Sequence, residues 1–210
     1  MAIKDIIFDL GNVLVPFDWN IAGRRLVKYL PPELARESEF DPKAFATTII
    51  DLIEALEKGT MEFHEFFWKV VLKTGLTIEF NNFKLIWCDI FQIDQKMINL
   101  GKQLSGRYNV WLASNTNEAH YDFITTKFPE ILFFKEAALS YRMGVKKPDL
   151  NYFVKALELF GISPENAIFV DDRLENVQAA EKIGIAGVVF TTFESLLVEF
   201  SRYNVITHIH

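Results

Sequence analysis

Four polar groups in this 210-residue sequence sit at the edges of short apolar runs. Asp9 stops Ile6-Ile7-Phe8, Ser114 and Asn115 stop Val110-Trp111-Leu112-Ala113, and Asp171 and Asp172 stop Ile168-Phe169-Val170. Lys146 and Lys147 stand directly before Pro148. Together these residues would supply carboxylates, a hydroxyl, an amide and a cation. That donor set suits a hard cation such as Mg²⁺ with a phosphate, since Mg²⁺ takes one or two carboxylates and keeps water and substrate oxygens for the rest. Each residue alone has a plain structural use. Asp9 can end a strand, Ser114, Asn115 and the Asp171-Asp172 pair can cap helices, and Lys147 can be a solvated lysine. Their coincidence, in order, beside apolar runs points to chemistry.

The elements that must position them follow from the pattern. The short β-branched runs near 6–8, 109–113, 167–170 and 186–190 read as buried parallel strands, with a further strand somewhere within 131–140. Helical patterns over 94–106, 117–127, 149–160 and 174–183 lie between them, the last two running to Gly161 and Gly184. Alternating strands and helices imply a parallel sheet covered on both faces. In such sheets ligands bind beyond the carboxyl ends of the strands, where Asp9, Ser114 and Asp171 would emerge. The stretch 17–93 breaks the alternation. It carries helical segments near 20–30, 42–57, 62–74 and 79–92 and no convincing strand. The expected architecture is therefore an α/β core formed by residues 1–16 and 94–210, with an all-helical insertion at 17–93. Phe17 and Trp19 could line the cleft between the two, although aromatic residues at such spacing are more often plain packing.

Composition narrows the class. Half the residues are hydrophobic, 24% are charged, and 20 are Phe, so the chain can bury a sizeable core. The net charge is −6 and no run of Lys and Arg exceeds two, which argues against nucleic acid as a partner. The single cysteine, Cys88, excludes an internal disulfide and reads as a buried core thiol. No apolar run approaches 18 residues, and Asp5 and Asp9 interrupt the only candidate leader, so neither a membrane span nor a signal peptide is expected and the cytoplasm is the expected compartment.

The four clusters in order resemble the motifs of the haloacid dehalogenase superfamily of hydrolases. The first is Ile6-Ile7-Phe8-Asp9-Leu10-Gly11-Asn12-Val13, the second Trp111-Leu112-Ala113-Ser114-Asn115-Thr116 and the third Gly144-Val145-Lys146-Lys147-Pro148-Asp149. The fourth is Ile168-Phe169-Val170-Asp171-Asp172, followed by Asn176. The resemblance spans the chain. It implies a Rossmann-like core with a helical cap, Asp9 as nucleophile forming an aspartyl-phosphate, and Ser114 with a neighbouring backbone N–H holding phosphoryl oxygens, beside Asn115. It further implies Lys147 as the neutralising cation, Asp172 as a Mg²⁺ ligand beside Asp9, Asp171 as a ligand or support, and Asn176 as an orienting group. The Asp-Leu-Gly-Asn-Val form resembles a branch containing sugar 1-phosphate phosphatases, related to the N-terminal phosphatase domain of soluble epoxide hydrolases.

One position departs from the pattern. Most phosphatases of the superfamily carry a second Asp two residues after the nucleophile, as general acid and base. Here that residue is Gly11, which can still offer its carbonyl to the metal and its backbone to the substrate. General acid–base help is worth about 10²–10⁴-fold, so the loss matters unless Asp18 or His64 stands in or the leaving group departs easily. For Asp18 the plainer use is as the cap of the helix from about 20. The expected activity is Mg²⁺-dependent hydrolysis of a small phosphorylated metabolite, first of all a sugar phosphate, by a monomer or homodimer. The alternatives are a catalytically weak phosphate-binding or regulatory protein and a metal-independent haloacid dehalogenase. The paired carboxylates argue against the latter.

Overall fold

The computed structural model describes residues 2–32 and 42–205. In chain order the elements are β1 (Asp5–Phe8), α1 (Trp19–Leu26), α2 (Pro42–Thr48), α3 (Ile50–Glu57), α4 (Phe63–Thr74), α5 (Phe80–Cys88) and α6 (Gln95–Ser105). They continue with β2 (Asn109–Ser114), α7 (Glu118–Lys127), β3 (Ala137–Leu139), α8 (Ser140–Met143), α9 (Leu150–Phe160) and β4 (Ala167–Asp171). The last three are α10 (Leu174–Glu181), β5 (Ala186–Val189) and α11 (Phe193–Arg202). The strands form one parallel sheet in the order β3-β2-β1-β4-β5. Consecutive strands in the centre are separated by crossovers, as parallel pairing demands.

The sheet has apolar packing on both faces, which explains why its strands read as unbroken apolar runs. Along β1, Ile6 and Phe8 point into one buried cluster and Ile7 into another. On the second face Trp111 stacks on Phe160 at 4.8 Å, and Phe153 meets Phe169 at 5.3 Å. At the amino end of the sheet Asp5 is buried, but Asn109 and Trp111 donate hydrogen bonds to it at 2.9 and 3.0 Å, so its polarity is satisfied.

Among the described residues, the stretch from α1 to α5 contains helices and no named strand. Its centre is aromatic: Phe66, Phe83 and Trp87 are buried, and Trp87 stacks on His120 of α7 with ring planes 17° apart. This stretch shares one hydrophobic cluster with the sheet face that carries Phe8 and Val170. At a second contact the turn after α3 presses on α8. A Cβ on Gly59 would lie 2.0 Å from the Tyr141 carbonyl oxygen, and Gly59 has φ +66°, so no other residue fits there.

Three element expectations need correction. The segment 42–57 is two helices, broken at Ile49, which leaves the helical conformation at φ −116° and ψ 15° and is fully buried. The first helix ends at Leu26 and tightens into a 3₁₀ turn at Val27–Tyr29. The cap of α7 is Asn117, not Ser114 or Asn115. The third strand is only Ala137–Leu139, and α11 carried no signal that singled it out. No helix among the described residues is long and apolar enough to cross a membrane. His208 and His210 lie outside the described residues.

Candidate active site

The parallel register sets where the polar tips fall. Phe8 is level with Leu112 on one side and Val170 on the other, so Asp9, Ser114 and Asp171 emerge at one edge of the sheet. Lys147, in the loop before α9, reaches into the same edge and is 1% exposed. Its ammonium donates to Asp9 Oδ1 at 2.7 Å, to Asp171 Oδ2 at 2.7 Å and to the Ala113 carbonyl at 2.8 Å. All three ammonium hydrogens therefore have acceptors, which is the condition for burying a lysine. Asn115 fixes the loop that carries it. Its amide donates to the Lys147 carbonyl and its carbonyl oxygen accepts from the Lys147 N–H, both at 2.9 Å.

The two neighbouring carboxylates have different surroundings. Asp171 is fully buried and saturated: Oδ1 accepts from the Arg173 N–H at 2.8 Å, Asn176 Nδ2 lies 3.0 Å from both oxygens, and Lys147 takes Oδ2. Asp172 is half-buried, and among the described residues its side chain accepts a hydrogen bond from Asn12, at 3.3 Å. Asn12, at φ +55°, also accepts from the Phe17 N–H at 3.3 Å, so one short loop ties the nucleophile turn to Asp172. Asp9, Asp171 and Asp172 each bring an oxygen within 4.8 Å of the others. Asp9 and Asp172 have free lone pairs, whereas those of Asp171 are used. A divalent cation between Asp9 and Asp172 fits this donor set, and Asp171 serves by gripping Lys147 and Asn176.

The electrostatics agree. Burial pushes the Asp9 carboxyl up to about 7; Lys147 opposes this and Asp171 adds to it. Burial also raises Asp172, with Asn12 opposing. For Lys147 burial works against the charge, but Asp9 and Asp171 outweigh it and hold the pKa above the ordinary lysine value. Without a metal the folded protein thus keeps a proton on Asp9 that the unfolded chain gives up near 3.8. The contribution of Asp9 to stability falls as pH rises from about 4 to about 7 and is flat above that. A cation competes with that proton. We expect Mg²⁺ affinity, read from the shift in Tm or by calorimetry, to weaken about tenfold per pH unit below pH 7 and to level off above it. A shift independent of pH between 6 and 8 would disprove the link.

Gly11 lies beside this cluster. A Cβ at this position would come within 2.8 Å of Phe17 Cε1. The Phe17 ring is itself packed edge-on to Trp19 at 6.1 Å and Phe91 at 5.8 Å. A side chain at position 11 therefore requires the Phe17 ring, held from two sides, to shift. The proposed substitutes are elsewhere. Asp18 caps α1, accepting from the Asn20 N–H at 2.8 Å, and His64 packs against Phe80 and Trp68 on the outer helices. Neither lines the cavities over Asp9. Phe17, Trp19, Ser114 and Asn115 do line them. So do two residues that sequence reasoning did not single out, Glu57 and His120. Glu57 arrives from a helix far from any motif, while His120 lies in the first turn of α7 directly after the second motif, and neither side chain stood out by type or spacing. His120 is buried, with Nδ1 accepting from Asn117 at 3.1 Å and Nε2–H donating to the Trp87 carbonyl at 3.2 Å. Burial pulls its pKa down to about 4, so it is neutral. Cys88 packs on Ala119 with its thiol pushed up to about 12 by burial, which makes it unreactive.

A parallel α/β sheet with helices on both faces and a Lys-bridged acidic cluster at its carboxyl edge defines a hydrolase class. The chain belongs to the haloacid dehalogenase-like hydrolase family, whose model matches residues 3–184. Over 91% of both chains it is 27% identical to the D-ribitol-5-phosphate phosphatase of Bacteroides thetaiotaomicron. It is 28% identical to a sesquiterpene phosphatase of Aspergillus oryzae over 90% of each. A solved haloacid dehalogenase family enzyme of B. thetaiotaomicron, in complex with magnesium and inorganic phosphate, shares the fold. Its TM-score is 0.79 at 24% identity, over 93% of this chain and 99% of that one.

Proposed function

We propose that this protein is a Mg²⁺-dependent phosphomonoesterase acting on a small phosphorylated metabolite, with sugar and polyol phosphates as the first class to test. The observation that carries the reading is Lys147, buried between Asp9 and Asp171 while Asp172 stays half-open beside them. An anion-attracting cation, a nucleophile and a metal-ready carboxylate at one point suit phosphoryl transfer. A haloacid dehalogenase would have no use for the second acidic pair. The two full-length relatives named above are phosphatases with substrates of very different polarity, and the cavity has both characters: aromatic faces from Phe17, Trp19 and Phe91, and polar groups from Glu57 and Asn115. In this reading residues 17–93 form the cap that selects the substrate.

In the mechanism, Asp9 Oδ attacks phosphorus and forms an aspartyl-phosphate as the ester oxygen leaves. Lys147 holds the attacking carboxylate in place and offsets the charge of the phosphoryl group. Ser114 and a backbone N–H beside it hold phosphoryl oxygens. Asp9, Asp172 and the Gly11 carbonyl would hold Mg²⁺, which spreads the charge of the transferring group. No side chain at position 11 protonates the leaving oxygen. The test is phosphate release from sugar 1-phosphates, sugar 6-phosphates, polyol phosphates, nucleotides and an aryl phosphate, with and without EDTA. Release from any member that EDTA abolishes supports the reading, and release untouched by EDTA disproves the metal role.

The blocked space at Gly11 gives a second prediction. Gly11→Asp alone is expected to lower Tm, because the Phe17 ring has to move. Combined with Phe17→Val, it should recover Tm and raise turnover of alkyl phosphates relative to aryl phosphates by about tenfold or more, since alkyl leaving groups gain most from an acid. An unchanged alkyl-to-aryl ratio in the folded double variant would show that the missing Asp is not what limits the reaction.

A further inference from the structure

Hydrolysis of an aspartyl-phosphate needs a base for the attacking water, and position 11 has none to offer. The cavities over Asp9 narrow the choice. Their described titratable lining groups are Asp9, Lys147, Asp172, Arg173, His120 and Glu57. Asp9 carries the phosphoryl group, Asp172 faces the metal position, and Lys147 and Arg173 are cations. His120 has both ring nitrogens bonded. Glu57 remains. It is the last residue of α3, it lines both cavities, and its side chain is 23% exposed. It comes from the helical stretch that faces the sheet edge. The leaving group departs opposite Asp9 Oδ and water must enter there, which places that stretch on the correct side.

We propose that Glu57 is the general base of the dephosphorylation step and that Lys146 holds it in place; this rests on the phosphomonoesterase reading. Lys146 Nζ donates to Glu57 Oε2 at 2.7 Å, which leaves Oε1 for water. In the step, a water proton passes to the Glu57 carboxylate and the water oxygen forms a bond to phosphorus. The bond from phosphorus to Asp9 Oδ breaks, and its electron pair returns to the Asp9 carboxylate. Inorganic phosphate leaves, and Glu57 releases its proton to solvent. The charged groups around Glu57 are its partner Lys146, and Asp9, Lys147, Asp172 and Arg173, which line the same cavity; α8, packed against α3, carries Arg142, which lies over Tyr121 and Tyr141. Glu54 and Lys58 flank it on its own segment. Of these only Lys146 is bonded to it among the described residues.

The test is rapid-quench kinetics with 4-nitrophenyl phosphate and Mg²⁺, following nitrophenol release and acid-trapped phosphoenzyme. Glu57→Gln is expected to release one equivalent of nitrophenol in a burst, accumulate phosphoenzyme, and then turn over about 10²-fold more slowly than wild type. Lys146→Met breaks the same ion pair but keeps the carboxylate. It should turn over more slowly than wild type but clearly faster than Glu57→Gln, with less phosphoenzyme accumulated than in Glu57→Gln. Three results overturn the proposal: no burst in Glu57→Gln, turnover equal to wild type, or an equal loss in Lys146→Met. If Glu57→Gln does not fold, Glu57→Asp replaces it. That variant should retain part of the turnover and accumulate some phosphoenzyme, and a loss of turnover without accumulation overturns the proposal. If wild type shows no Mg²⁺-dependent release, the phosphomonoesterase reading itself fails, whatever the variants do.

Discussion

Asp9→Asn is expected to remove turnover on every phosphate ester, by on the order of 10⁴-fold or more, the scale seen when a covalent nucleophile is deleted. The amide keeps the shape of the carboxylate, and its oxygen can still accept from Lys147, so the fold should survive. It cannot attack phosphorus, and as a neutral group it is a poor ligand for a hard cation. The expected signature is a folded protein that forms no phosphoenzyme and whose Tm hardly responds to Mg²⁺. Turnover within about tenfold of wild type would remove Asp9 from the mechanism, since general electrostatic effects alone are worth more than that at such a site. The result discriminates better than an EDTA experiment, because chelators also disturb proteins that use metals only structurally.

Lys147→Met should strike both stability and chemistry. Lys147 is 1% exposed and its two carboxylate partners are 7% and 0% exposed, so its removal leaves Asp9 and Asp171 facing each other in a dry site. Breaking a buried charge cluster by deleting one partner costs about 3–5 kcal/mol. The penalty depends on pH with a definite sign. Burial already pushes Asp9 up to about 7 with the lysine present. Without it Asp9 prefers the proton still more, so the stability gap to wild type should be widest near pH 8 and narrow towards pH 5. Denaturant titrations at the two pH values check this. A gap that does not depend on pH would mean that the loss comes from packing against Phe169, whose ring centre lies 5.2 Å from Nζ, rather than from charge.

Much of this was legible in the sequence, and the reason is local. A parallel strand buried on both faces tolerates no polar residue until it ends, so Asp9, Ser114 and Asp171 announced both a strand and a site. Lys147 was legible only through its motif, because nothing about a Lys-Lys-Pro stretch foretells burial. The division between Asp171 and Asp172 was legible only in part, through the motif: that Asn176, Arg173 and Lys147 all bond to Asp171 while Asp172 stays half-open is set by tertiary structure. Gly11 was visible as a departure, but that Phe17 occupies the space beside it was not. Glu57 was hidden for the same reason. It sits in an ordinary amphipathic helix, and its pairing with Lys146 spans 89 positions.

The shared aromatic packing of Trp87 on His120 has a further consequence. Pulling the helical stretch away from the sheet would tear that stack apart and wet Trp87 and Cys88, which are otherwise dry.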